Sequence, residues 1–206
     1  MKITVIKSWE QITLAQFNEI SRILDTTKDR SKAGQKVVEY LYDIDPMAIP
    51  YQDYLHLLNA LNEMLASDIR SWPLTSNLRY PINGREYVLD TNVAAFTTAQ
   101  YIDFTNYAKK PLSTIDMLSC VLLPKDHKYL DGYDIDQVKE DIGSLKVSQA
   151  FGISNFFVSW SRRSITTFLL SLTSLMMKEP KNKEKVEELQ KKVEELDKTL
   201  ASFHLS

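Results

Sequence analysis

A mainly α fold is the expectation from this sequence: a multi-helix bundle with a small β-hairpin (about 78–89), a candidate N-terminal strand and a C-terminal heptad helix. Three observations predict it. Apolar residues recur at helical spacing through most of the chain. The pair Asn83-Gly84 stands between two β-prone runs, and Asn-Gly supplies the two positive-φ positions of a type I′ turn. From 181 to 206, apolar positions repeat in alternate steps of three and four.

Taken in order, Ile3-Thr4-Val5-Ile6 reads as a strand, and Ile12-Thr13-Leu14-Ala15-Gln16-Phe17 as a helix start. Thr13 can accept from the amide of Gln16 and Gln16 can reach back, which is a capping box. The helix runs to about Asp25 with Leu14, Phe17, Ile20, Ile23 and Leu24 inward. After the polar break 25–30, a second helix continues to about Tyr42 and buries Val37, Val38 and Leu41. Asp45-Pro46 and Ile49-Pro50 punctuate, because a residue before proline is pushed out of the helical region. Pro50 suits the first turn of a third helix, which carries Leu57, Leu58, Leu61, Met64 and Leu65 and ends near Ser67.

The two-residue turn at Asn83-Gly84 sets Tyr80 opposite Tyr87 and Leu78 opposite Leu89, with Arg79, Pro81 and Glu86 on the other face. Phe96-Thr97-Thr98-Ala99-Gln100-Tyr101 then repeats the earlier helix start: Thr97 caps, Gln100 returns, and Phe96 is expected to staple onto Tyr101. Either the two starts share only capping chemistry, or residues 1–75 and 76–178 are related strand-helix subunits; otherwise 1–178 is a single helical domain. Ser113 to about Leu123 reads as a short buried helix ended by Pro124. Beyond the loop 125–133, Asp134 is expected to cap a helix with Gln137 as its box partner. Val147 to Lys178 reads as one long helix, or two with a kink near Gly152.

In the final helix, Val186, Leu189, Val193, Leu196, Leu200 and Phe203 form a heptad seam with Val at a and Leu at d, which favours parallel two-stranded coils. It spans under three heptads, so it needs a surface to pack on. Folding back on the long helix, self-association and docking on another chain all meet that need. Arg162 and Arg163 split the preceding apolar helix into uncharged stretches of about 15 residues, short of the ~20 that span a bilayer, and mark where it meets solvent or a partner.

Composition narrows the function. Lys plus Arg number 25 against 27 Asp plus Glu, and a nucleic-acid-binding domain ordinarily carries a basic footprint, so no direct nucleic-acid partner is expected. Cys120, the one cysteine, lies in an apolar run and reads as a buried small hydrophobe. With no signal-peptide pattern, a chain made and folded in a cytoplasm is expected. His56, His127 and His204 are scattered without zinc-ligand spacing, and Asp131-Gly132-Tyr133-Asp134-Ile135-Asp136 lacks the order of a calcium loop. Walker, Rossmann and nucleophile-elbow fingerprints are missing. No catalytic residue, metal or cofactor is expected, and Thr13, Gln16, Asn83, Gly84, Thr97, Gln100 and Asp134 read as structural.

At Phe96-Thr97-Thr98-Ala99-Gln100-Tyr101-Ile102-Asp103-Phe104 the chain resembles morphogenesis-module proteins of crAss-like bacteriophages that infect Bacteroidetes. Leu123-Pro124-Lys125, Tyr129-Leu130-Asp131-Gly132-Tyr133-Asp134, Phe156-Phe157 and Trp9-Glu10-Gln11-Ile12-Thr13-Leu14 carry the same resemblance, which spans much of 1–160 and not the heptad helix. It implies a non-enzymatic neck, tail or capsid-associated component, or a tail assembly chaperone. Its partners would be other phage structural proteins or a second copy, in the bacterial host cytoplasm during assembly or in the virion. The rivals are a cellular dimerisation module built on 181–206 and a small enzyme using the acidic loop 131–136.

Overall fold

Capping side chains lay out the helices. The computed structural model describes residues 3–67, 77–92, 95–107, 110, 112–156 and 191. The chain divides into two units, 1–152 and 153–206. Ser8 opens a short 3-10 turn, Trp9–Gln11, with Gln11 closing a capping box on it. α1 (Leu14–Thr26) starts at Thr13, whose Oγ1 accepts from the Gln16 amide at 3.2 Å while Gln16 Oε1 accepts from the Thr13 amide at 2.9 Å. α2 (Arg30–Tyr42) starts at Asp29, which accepts from the amides of Ser31 and Lys32, and ends at Asp43 in a left-handed conformation. α3 (Tyr51–Ala66) follows Pro50, which stands at the N-cap, one residue before the position expected for it.

These three helices close one core. Ile20 and Ile23 of α1 meet Val37 and Val38 of α2 and Leu57, Leu61 and Met64 of α3, with Trp9, Ile12 and Val147. Each such side chain contributes about 1.5–3 kcal/mol on leaving water. Leu24, expected inward, is exposed in the last turn of α1, where Ile23 takes the core position. Residues 3–6 do not form the expected N-terminal strand among the described residues. A strand needs a ladder, and here the Ile6 amide bonds the Tyr42 hydroxyl at 3.1 Å instead.

The hairpin forms in the expected register. β1 (Arg79–Ile82) and β2 (Arg85–Leu89) pair Tyr80 with Tyr87 and Ile82 with Arg85, around Asn83 (φ 48°) and Gly84 (φ 78°). Past β2 come α4 (Thr98–Tyr107) and α5 (Thr114–Ser119). The helix expected to reach Leu123 stops at Ser119. Leu122–Pro124 is instead a third strand, β3, antiparallel to β2 and giving the order β1-β2-β3. A short, wholly apolar run suits a buried helix or a buried strand equally; here the open edge of β2 decides it, and Leu122 and Leu123 are buried there.

α6 (Ile135–Gly143) packs on α5 and α1, and a helix beginning at Val147 is described through 156 (α7). Among the described residues no helix is long and apolar enough to cross a membrane.

Candidate functional site

Among the described residues, the densest convergence of polar groups forms where α6 meets the hairpin tip. On the buried side of α6, Asp141 sits between Val138 and Ile142 and is 1% exposed. It accepts from Asn83 Nδ2 at 3.0 Å, from Arg85 Nη1 at 3.0 Å, from the Tyr87 hydroxyl, and from Gln137 Nε2 at 3.4 Å. Burial alone would raise the Asp141 carboxyl, but the bonds from Tyr87, Asn83 and Arg85 outweigh it and hold the group below its ordinary 3.8. Burial, then the bond to the carboxylate, pushes the Tyr87 hydroxyl up to about 12. Tyr87 is fully buried and the carboxylate has its acceptor positions filled, so this constellation anchors the turn rather than presenting a reactive group. The Arg85 side chain, 52% exposed, and Asn83 at the turn reach water.

Sequence reasoning missed this cluster, although two signals pointed to it. Asp141 lies on the apolar stripe Val138, Ile142 and Leu145, where an acid needs a partner. Arg85 shares the strand face of Tyr87 and Leu89, and both of those are buried.

A second buried cluster ties α4 to the turn before β3. Gln100 closes the expected box with Thr97, its amide donating to Thr97 Oγ1 at 3.1 Å, and it also donates to the Cys120 carbonyl at 2.8 Å and to Asp90 Oδ2 at 3.4 Å. Phe96 sets its ring edge-on to Phe104 at 6.4 Å, while Tyr101, the expected staple partner, is exposed. Cys120 is fully buried, with its thiol pushed up to about 11 by burial, so it is not poised as a nucleophile. Its Sγ lies 3.7 Å from the Tyr129 hydroxyl, which donates to Asp103 Oδ2 at 2.9 Å.

The acidic loop is occupied with its own architecture. Asp134 caps α6 through the amides of Asp136 and Gln137. Gln137, expected to reach back to the cap, turns forward to Glu140 and Asp141 instead; the buried carboxylate is the better acceptor for its amide. Asp131 offers its backbone carbonyl to His127 Nδ1 at 2.8 Å. Asp126 (φ 65°), Leu130 (φ 59°) and Gly132 (φ 73°) take left-handed backbone in this loop. Among the described residues no group of three or more His, Cys, Asp or Glu side chains is placed to hold a metal ion.

Apolar side chains stand in water elsewhere. Met47 is 84% and Tyr51 71% exposed, and Tyr101, Ile102 and Leu130 are about half exposed. Met47 and Pro46 join Lys32, Gln35, Lys36, Glu39 and Asp45 around an open hollow of about 300 Å³. His56 is exposed on α3. His204, Arg162 and Arg163, the seam Val186, Leu189, Val193, Leu196, Leu200 and Phe203, and the long helix past 156 lie outside the described residues. No protein-family model, no curated protein and no solved structure matches this chain.

Proposed function

We propose that this chain is a non-enzymatic component of bacteriophage assembly that works through protein–protein contacts, as a neck, tail or capsid-associated part. The observation that carries the reading is how its side chains are deployed. Asp141, Tyr87, Gln100 and Tyr129 are turned inward and used to hold the hairpin and helices together. Met47 and Tyr51, just before and at the start of α3, stand largely in solvent. Such a surface suits docking better than turnover.

The resemblance carried by residues 96–104, 123–125 and 129–134 supports the same reading and supplies its phage context. Balanced charge favours protein partners over nucleic acid. The heptad pattern from Val186 to Phe203, read from the sequence, suits self-association or docking on another phage protein. No cofactor is assigned, and the work is placed in the host cytoplasm during assembly.

Mass spectrometry of purified particles tests the proposal. A virion component copurifies at a ring-like copy number. A tail assembly chaperone is absent from mature particles and is recovered instead with tail-tube or tape-measure protein. Absence from both removes the proposal.

A further inference from the structure

We propose that Asn83 is a modification site: its side-chain amide is displaced by the backbone nitrogen of Gly84, at a rate governed by the bond from Asn83 to Asp141. The product carboxylate then unseats the hairpin tip from α6.

The sequence sets the reactivity. An asparagine side chain can be attacked by the nitrogen of the next residue, and a side chain on that residue hinders the approach. Asn83 precedes glycine, and every other asparagine of the chain precedes a residue with a side chain. The surroundings leave room. Asn83 and Gly84 are exposed, and a Cβ built on Gly84 would meet no atom within 4 Å.

The reaction balances with water alone. Hydroxide takes the Gly84 amide proton, and the nitrogen bonds to Asn83 Cγ. The Cγ–Nδ2 bond breaks, and Nδ2 leaves as ammonia after taking a proton from water. Water opens the resulting cyclic imide at either carbonyl. One opening leaves aspartate at 83; the other routes the main chain through the side chain as isoaspartate.

The fold holds the reaction back. Asn83 Nδ2 donates to Asp141 Oδ1 at 3.0 Å, which turns the amide toward α6 and ties down the leaving nitrogen. Asp141 is itself fixed, 1% exposed, with Arg85 and Tyr87 on its other oxygen. Attack on Cγ builds negative charge beside that carboxylate, an unfavourable pairing. Once the imide opens, the relation reverses. Aspartate at 83 sets a second carboxylate against Asp141 where a donor stood, and like charges so close disfavour each other. Isoaspartate adds a main-chain atom to the two-residue turn that sets Ile82 opposite Arg85. Either product loosens the contact that slowed its formation, and the change runs one way.

Peptide mapping by mass spectrometry, on the full chain aged at mildly alkaline pH, tests this. A gain of one mass unit is expected at residue 83 before any other asparagine, and sooner in chain unfolded in urea than in folded chain. Asp141→Asn separates the bond from the turn. Its remaining oxygen is held by Arg85, so its amide nitrogen faces Asn83 and the bond is lost. That variant is expected to quicken the reaction roughly tenfold or more, the worth of a hydrogen bond to a charged group. Tyr87→Phe, which spares the Asn83 bond, is expected to stay near the wild-type rate. Asn83→Asp is expected to lower the urea midpoint and to quicken hydrogen exchange at Tyr80 and Tyr87. Equal rates in folded and unfolded chain, equal quickening by Asp141→Asn and Tyr87→Phe, or an Asn83→Asp chain as stable as wild type would overturn the proposal.

Discussion

Thr13 and Lys146 face each other across an antiparallel bridge that joins the first turns of two helices distant in sequence. The Leu14 amide donates to the Leu145 carbonyl at 2.8 Å and the Val147 amide to the Ile12 carbonyl at 3.0 Å. These are first-turn amides that a helix cannot satisfy from within, so α1 and α7 each find a partner in the strand-like residues before the other. Gln16 closes on the Thr13 amide, Gln149 closes on the Lys146 amide at 3.1 Å, and Phe17 meets Phe151 edge-on at 5.3 Å. Thr13→Ala removes one cap and is expected to lower stability by about 1 kcal/mol. Hydrogen exchange is expected to quicken at Val147 as well as at Leu14 and Gln16; quickening confined to α1 would mean that the bridge does not couple the two starts.

Asp141 is expected to be the most sensitive polar position in the described fold. Asp141→Ala leaves Asn83, Tyr87 and Gln137 without their acceptor beneath the hairpin tip, at an expected cost of about 3 kcal/mol. Arg85→Ala, which removes a half-exposed guanidinium, is expected to cost far less. Urea midpoints for the two variants check this order, and equal losses would contradict it.

The same pair of groups makes stability fall at both ends of the pH scale. Below 3.8 the unfolded chain takes up a proton that folded Asp141 still refuses. The stabilisation is therefore complete above 3.8 and lost as pH falls through the lower folded value. Above 10 the unfolded chain gives up a tyrosine proton that Tyr87 keeps to about 12, so stability declines across that interval. Urea midpoints measured against pH are expected to show a shallower acid limb in Asp141→Asn and a shallower alkaline limb in Tyr87→Phe.

Two glutamines at matching positions are expected to differ in worth. Gln16 serves only its own helix start among the bonds seen here, while Gln100 also satisfies the Cys120 carbonyl in the interior. Gln16→Ala is expected to cost about 0.5–1 kcal/mol, and Gln100→Ala about 2 kcal/mol because a buried carbonyl loses its donor. Thermal denaturation of both variants decides between this and equal effects.

What could be read from the sequence was what neighbouring residues settle among themselves. Asn83-Gly84 dictated a turn and so the register of Tyr80 with Tyr87, and the pairs Thr13/Gln16 and Thr97/Gln100 wrote two helix starts. A third-position glutamine also returns at Ser8–Gln11 and at Lys146–Gln149, so capping chemistry is enough to explain why residues 12–20 resemble 96–104. What escaped was whatever depends on a distant partner. Leu122 and Leu123 became a strand because β2 lay open beside them, whereas residues 3–6 pair with no strand among the described residues. Asp141 draws its bonds from residues 83, 85, 87 and 137, and no local spacing links the first three to it.

Cross-linking mass spectrometry in host cells during particle production tests the central claim most directly. If the chain works by docking, its exposed lysines, Lys32, Lys36 and Lys128 among them, become linked to particle proteins or to a second copy. A chain whose lysines link to neither throughout particle production would contradict the account.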